Sequence, residues 1–127
     1  MVVKLFVLCK KREDLTREQF KNYWFNEHCK IEKMVLEKTP ICKISANITM
    51  NLLPGPGETS TGAEWPWDGI AEIFYNSMED FQAHQKMLQE GKDRTRPLLF
   101  KDEENFLDTS HKIVILMEEH AIGEVKK

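Results

Sequence analysis

The chain opens on an apolar run, Val2 to Cys9, interrupted only by Lys4, which predicts a buried β-strand. Charged residues from Lys10 onward make the turn that follows. Thr16 with Gln19 three positions later has the pattern of a helix capping box. Phe20, Trp24, Ile31 and Val35 then fall close together on a wheel of 3.6 residues per turn. Tyr23 and Met34 lie on one margin of that stripe, and His28 lies inside it. The helix should end before Pro40, because the residue ahead of a proline avoids the α region. From Ile41 to Met50 the pattern alternates. Cys42, Ile44, Ala46, Ile48 and Met50 form one side, and Lys43, Ser45, Asn47 and Thr49 the other, which predicts a second strand.

Pro54 to Trp67 is long for a loop of a small domain, and such loops are often functional lids or disordered. Asp68 to Tyr75 reads as the third strand. Ser77 followed by Asp80 resembles another N-cap, and Phe81, Gln85 and Leu88 mark a second helix ending near Gly91. Arg96-Pro97 is expected to break the chain, with a short helical turn between Leu98 and Leu107. Lys112 to Glu119 is the fourth strand, and the tail is polar. The order strand–helix–strand–strand–helix–strand is the split βαβ pattern. It predicts an α+β, ferredoxin-like (βαββαβ) fold: one domain over residues 1–127, with a four-stranded antiparallel sheet and helices on one face. The first and fourth strands are apolar on both faces, so a second copy of the sheet is expected to cover the open one, as a homodimer with a two-fold contact.

Composition narrows the class. With 127 residues, 41% hydrophobic and 31% charged, the chain is a globular domain able to bury a real core. A net charge of −3 lacks the basic excess of a nucleic-acid binder. No apolar run approaches the ~18 residues of a membrane span. The N-terminal run carries its charges after the apolar stretch, the wrong order for a secretory signal. Three cysteines, Cys9, Cys29 and Cys42, have no paired spacing and suggest free thiols in a reducing, cytoplasmic setting.

Candidate chemistry is sparse. A histidine inside an aromatic stripe, as His28 is, faces the sheet, and its ordinary pKa near 6.5 suits acid–base work. The plainer reading is a core histidine whose ring nitrogens are merely satisfied. His120 shares a strand face with Glu118, Leu116 and Val114, and reaches either a pocket at the sheet's end or solvent. His84 and His111 look bland. The histidines show no metal-ligand spacing, so no metal is expected. Asn47 and Glu72 are polar positions within strands that pairing would bring onto one face, and a mid-strand carboxylate is costly to bury unless paired. Asp102, Glu103, Phe106 and Asp108 read from composition as a solvated acidic turn. No phosphate-binding glycine loop and no nucleophile elbow occurs. What remains is a small aromatic pocket with one or two proton carriers, suited to proton transfer on an apolar, carbonyl-bearing ligand without a cofactor.

Several segments together carry a family likeness: Lys4–Lys11 leading into Leu15–Phe20, Tyr23-Trp24, Glu27-His28, Trp67–Glu72, Asp102–Asp108 and Glu118–His120. In order and spacing the chain resembles the EthD-domain family of the dimeric α/β-barrel superfamily, over nearly its whole length. The resemblance implies a ferredoxin-like protomer whose sheets pair into a dimeric barrel. It also implies, from fungal polyketide-pathway members, a cofactor-free dehydratase, decarboxylase or cyclase. Trp24 and His28 take the positions of the family's tryptophan–histidine pair, Asp102 and Asp108 those of its acidic motif, and Asn47 that of its strand-two asparagine. Lys43, Ile44 and Ser45 stand where an aromatic often precedes that asparagine, so ring stacking from strand two is missing, and Trp65 and Trp67 are the nearest substitutes.

The expected function is a cofactor-independent lyase acting on a polyketide-like aromatic or β-keto substrate. His28, Asp102 and His120 are its candidate proton carriers. Phe20, Tyr23, Trp24, Asn47, Glu72 and Phe106 are its candidate binding residues. A non-catalytic module for a hydrophobic ligand or a partner oxidative enzyme is the alternative. A haem-handling monooxygenase with His28 or His120 as axial ligand ranks third.

Overall fold

The computed structural model describes residues 2–54, 56 and 65–127. Four strands, β1 (Val2–Lys11), β2 (Lys43–Ile48), β3 (Gly69–Tyr75) and β4 (Leu107–Glu119), form one antiparallel sheet in the order β2-β3-β1-β4. That is the expected ferredoxin-like arrangement. Alternation fixes what each face carries. Val3, Leu5, Val7 and Cys9 pair with Tyr75, Ile73, Ala71 and Gly69, and Ile44, Ala46 and Ile48 extend the same face along β2. This face carries the helices and the core.

Helix α1 (Arg17–Tyr23) starts on a complete capping box between Thr16 and Gln19. It runs into α2 (Cys29–Lys38) through one π turn, Trp24–His28. There the Cys29 N–H donates to the Trp24 carbonyl, five residues back. The Phe25 carbonyl, which that N–H would reach in an uninterrupted α-helix, accepts instead from the Cys29 thiol at 3.0 Å. The extra residue in this turn rotates everything after it backward around the axis. Helix α3 (Met78–Gln89) is capped by Ser77, and the chain leaves it through Gly91 at φ 67°, a left-handed conformation that favours glycine. Aromatic Phe20, Trp24 and Phe106 close one end of the helix–sheet interface, and Val3, Val35, Ile41 and Tyr75 close the other.

Two boundaries differ from the sequence pattern. Pro97 does not break the chain. It sits in the first turn of α4 (Arg96–Glu103), where its missing N–H leaves no helical bond unmade. The last strand starts at Leu107 rather than Lys112, so the acidic stretch is not a free turn but the end of α4 and the start of β4. The loop expected from Pro54 to Trp67 lies largely outside the described residues. At its far end the Trp65 indole N–H donates to the Thr49 hydroxyl at 3.3 Å, which places Trp65 at the end of β2. Cys9, Cys29 and Cys42 are free thiols. Among the described residues no helix is long and apolar enough to cross a membrane.

Candidate active site

A cavity of about 300 Å³ lies between the helices and the inner face of the sheet. That is the lower end of the small-molecule range. Its floor is Leu5, Val7, Ala71 and Ile73, and Trp24, His28 and Glu32 reach into it from the first helix. His28 is 4% exposed. Its Nδ1 stands 2.7 Å from one Asp102 carboxylate oxygen. The other Asp102 oxygen accepts the Tyr23 hydroxyl at 2.7 Å and the Asn105 amide at 3.2 Å. The Phe106 ring packs against the imidazole, with centroids 4.7 Å apart. Helix α4 thus delivers Asp102 to a histidine 74 residues earlier in the chain.

Electrostatics follow from these partners. Burial pushes the Asp102 carboxyl up, but hydrogen bonds from Tyr23, His28 and Asn105 outweigh it and hold the group below its ordinary range. An ionised Asp102 accepts a hydrogen bond from the N–H at His28 Nδ1, which leaves Nε2 as the basic nitrogen. That nitrogen has no partner among the described residues, and the ring lines the cavity.

Two further groups in the cavity escaped the sequence pattern. Glu32 accepts the Trp24 indole N–H at 3.0 Å. Burial raises its pKa, the Trp24 bond lowers it and nearby Glu103 raises it again, to about 7 in all. In an uninterrupted α-helix Glu32 falls about 120° from Phe20, toward the flank; the π turn swings it inward. The second is His84, which looked bland and is 2% exposed. The Tyr75 hydroxyl stands 2.6 Å from its Nδ1, and Asp93 stands 2.7 Å from its Nε2. The Thr95 backbone N–H donates to the same carboxylate at 3.0 Å. The signal available in the sequence was the spacing of His84 from Phe81 and Leu88 on α3, which places it on the helix's inner side.

The other expected site residues part into three groups. Phe20, Tyr23, Trp24 and Phe106 pack around His28 and Asp102. Asn47 and Glu72 do come together, with the Asn47 amide donating to Glu72 at 3.0 Å, but on the opposite face of the sheet, where Lys4 also pairs with Glu72 at 3.1 Å. Alternation from Ala71 and Ile73 puts Glu72 there, so neither residue reaches the cavity of its own protomer. His120 follows the last residue of β4, and its side chain is 62% exposed beside Glu118; it stands away from the cavity. Asp108 bonds Ser110 and His111 at the surface. Glu27, which precedes His28 in the motif, pairs with Lys30 in solvent. Among the described residues no three His, Cys, Asp or Glu side chains are placed to share a metal ion.

The fold recurs in solved structures. An ethyl tert-butyl ether D (EthD) family protein from Bacillus halodurans C-125 superposes with a TM-score of 0.63 at 19% identity, over 94% of this chain and 100% of that one. A dimeric protein of unknown function and ferredoxin-like fold from Bacteroides fragilis NCTC 9343 gives 0.57 at 19% identity, over 93% and 96%. A dimeric ferredoxin-like protein of unknown function from Thermobifida fusca YX gives 0.55 at 9% identity, over 92% and 90%. At these identities the likeness is one of fold. No curated protein sequence matches the chain. The EthD domain model matches residues 12–110, which span the first helix, the Ala71 and Ile73 half of the cavity floor and the Asp102 segment, and the chain belongs to the EthD-domain family.

Proposed function

We propose that this protein is a cofactor-independent lyase that moves protons on a polyketide-like aromatic or β-keto substrate. One observation carries the reading: a buried histidine that lines a mostly apolar cavity of small-molecule size is held at Nδ1 by an ionised aspartate, and its other nitrogen has no partner among the described residues. A base so placed can take a proton from a carbon next to a carbonyl, or return one to an enolate. Loss of water from a β-hydroxy carbonyl, loss of CO2 from a β-keto acid and cyclisation of a poly-β-ketone all pass through such an enolate. The aromatic wall of Trp24 and Phe106 suits a planar ligand and excludes water from the proton transfer. The EthD-family resemblance to polyketide-pathway enzymes supports the same substrate class.

The working unit in this reading is a homodimer. The open face of the sheet carries Phe6, Ile70, Phe74, Ile115 and Met117 around the Lys4–Glu72 pair, an apolar surface that a second copy would cover. The B. fragilis and T. fusca proteins are themselves described as dimeric.

The test is turnover by the purified protein of a panel of aromatic β-hydroxy ketones and β-keto acids, followed by mass spectrometry. The expected result is a dehydrated, decarboxylated or cyclised product, with His28→Ala about a hundredfold slower or worse and ligand binding retained. Binding of panel members with no turnover by the wild type would overturn the lyase reading in favour of a ligand-binding module.

A further inference from the structure

We propose that Glu32 is the second proton-transfer group of this cavity: the general acid that protonates the hydroxyl leaving a β-hydroxy carbonyl while His28 takes the α proton. The inference rests on the lyase reading above and narrows it to loss of water.

Three geometric observations carry it. Glu32 and His28 both line the cavity and stand four residues apart on the same helix, at neighbouring inward positions of about 5–6 Å spacing. That separation suits two carriers acting on adjacent carbons of one ligand. The Trp24 indole N–H fixes one Glu32 oxygen, and the other has no partner among the described residues. Among the described residues no cation pairs with the carboxyl: Lys112, the ammonium on this wall, is taken up by Glu103 at 2.8 Å. Trp24 from its own helix, Glu103 from α4 and Cys9 from β1 act on Glu32 directly, and His28, Tyr75, His84, Asp93, Arg96 and Lys112 are the other titratable groups lining the cavity. Burying a carboxyl without a cation costs stability. A glutamine would receive the same indole hydrogen bond without that cost, so packing alone gives no reason for an acid here. Burial and Glu103 keep the group protonated up to about pH 7, as an acid at neutrality must be.

The step balances without a redox partner. His28 Nε2 takes the α proton, and the C–H electron pair becomes the new carbon–carbon π bond. The β C–O bond breaks, and its electron pair takes the proton from the free Glu32 oxygen, releasing water. Solvent then returns a proton from His28 to Glu32. Decarboxylation has no such need, because CO2 departs without a proton.

The experiment measures kcat and KM against pH for an aryl β-hydroxy ketone and an aryl β-keto acid, in the wild type, Glu32→Gln, Glu32→Asp, Trp24→Phe and His28→Ala. The wild type is expected to release water from the hydroxy ketone with a rate that falls above about pH 7. Glu32→Gln should lower kcat about a hundredfold with little change in KM and abolish that alkaline limb. Glu32→Asp should restore part of the rate. Trp24→Phe removes a bond that favours the carboxylate, so its alkaline limb should move to higher pH. Wild-type kcat and limb in Glu32→Gln, with His28→Ala inactive, would overturn the role of Glu32 and leave the lyase reading standing. Failure of the wild type to dehydrate the ketone overturns the role of Glu32; if the keto acid is also untouched, the lyase reading falls with it. Should Glu32→Gln not fold, an unmoved limb in Trp24→Phe overturns the proposal.

Discussion

The Asp102 carboxylate meets His28 Nδ1 at 2.7 Å and accepts the Tyr23 hydroxyl at the same distance through its second oxygen. One carboxylate therefore fixes both the tautomer and the plane of the imidazole. The ring is further held by Phe106. Preorganisation of this kind matters for a proton carrier, because a misplaced or wrongly protonated nitrogen is no base at all.

Asp102→Asn tests that relationship. An amide in this place can donate to Nδ1, which moves the ring proton to Nε2 and removes the base from the cavity. Turnover of a panel substrate should fall about 10²–10⁴-fold with the fold retained by circular dichroism. Unchanged turnover would show that the Asp102 contact is structural.

Glu32 gives a signature in stability that needs no substrate. Its carboxyl is raised from an ordinary 4.5 to about 7 in the native protein. Between those values the native state holds a proton that the unfolded chain releases. Stability therefore falls as pH rises through this window. Melting temperatures across it should decline in the wild type and decline less in Glu32→Gln. Parallel curves would place the Glu32 pKa near its ordinary value.

Asp93 has the opposite sign. Burial pushes its carboxyl up, but bonds from Thr95 and His84 outweigh this and hold it low. A depressed carboxylate adds stability above its ordinary pKa and loses it as pH falls through the native value. Asp93→Asn should cost about 1.5–3 kcal/mol at neutral pH, the range for a hydrogen bond to a charged group. The gap from the wild type, measured by urea unfolding, should narrow in acid. A gap that stays constant with pH would mean that the charge of Asp93 contributes little.

The contrast between what the sequence disclosed and what it hid has physical causes. The apolar run at the N-terminus, the alternation after Ile41 and the two N-caps placed β1, β2, α1 and α3, because all are local signals. His28 was visible as a polar residue in an aromatic stripe. Glu32 was hidden by a single π turn, since helical periodicity assumes one pitch throughout. Asp102 stood out through the family likeness alone: its partners lie 74 and 79 residues away, and composition shows an acidic turn. His84 looked inert because its partners Tyr75 and Asp93 lie on other elements. Asn47 and Glu72 meet as their strand register allows, yet on the far face, because register does not say which face holds the cavity.

Gly69 makes a close approach that the aromatic wall depends on. A Cβ built there would stand 2.7 Å from the Trp24 ring and 3.0 Å from the Asn47 carbonyl oxygen. Neither neighbour is a flexible side-chain tip. Gly69→Ala must therefore push Trp24 outward, at a cost of about 1–3 kcal/mol typical of overpacking. Moving that ring also disturbs the Trp24–Glu32 bond. The expected readouts are a lower melting temperature and a changed tryptophan emission. A melting temperature equal to the wild type would mean that the helix shifts freely.

The open sheet face makes the last prediction. Ile113, Ile115 and Met117 point there from β4, opposite Leu8, Phe6 and Lys4 of β1, and the three are 46%, 42% and 37% exposed in the protomer. Adjacent apolar side chains on a pleated sheet form a continuous patch, which water disfavours and a second copy would cover. A two-fold contact carries every substitution twice, so Ile115→Glu places two carboxylates in that interface. The same change costs the isolated protomer little, because Ile115 is already half in water. Light scattering at micromolar concentration should therefore give about twice 14.9 kDa for the wild type and a single chain mass for a folded Ile115→Glu variant. A single-chain mass for the wild type would exclude the dimer, and a two-chain mass for Ile115→Glu would move its interface to another surface.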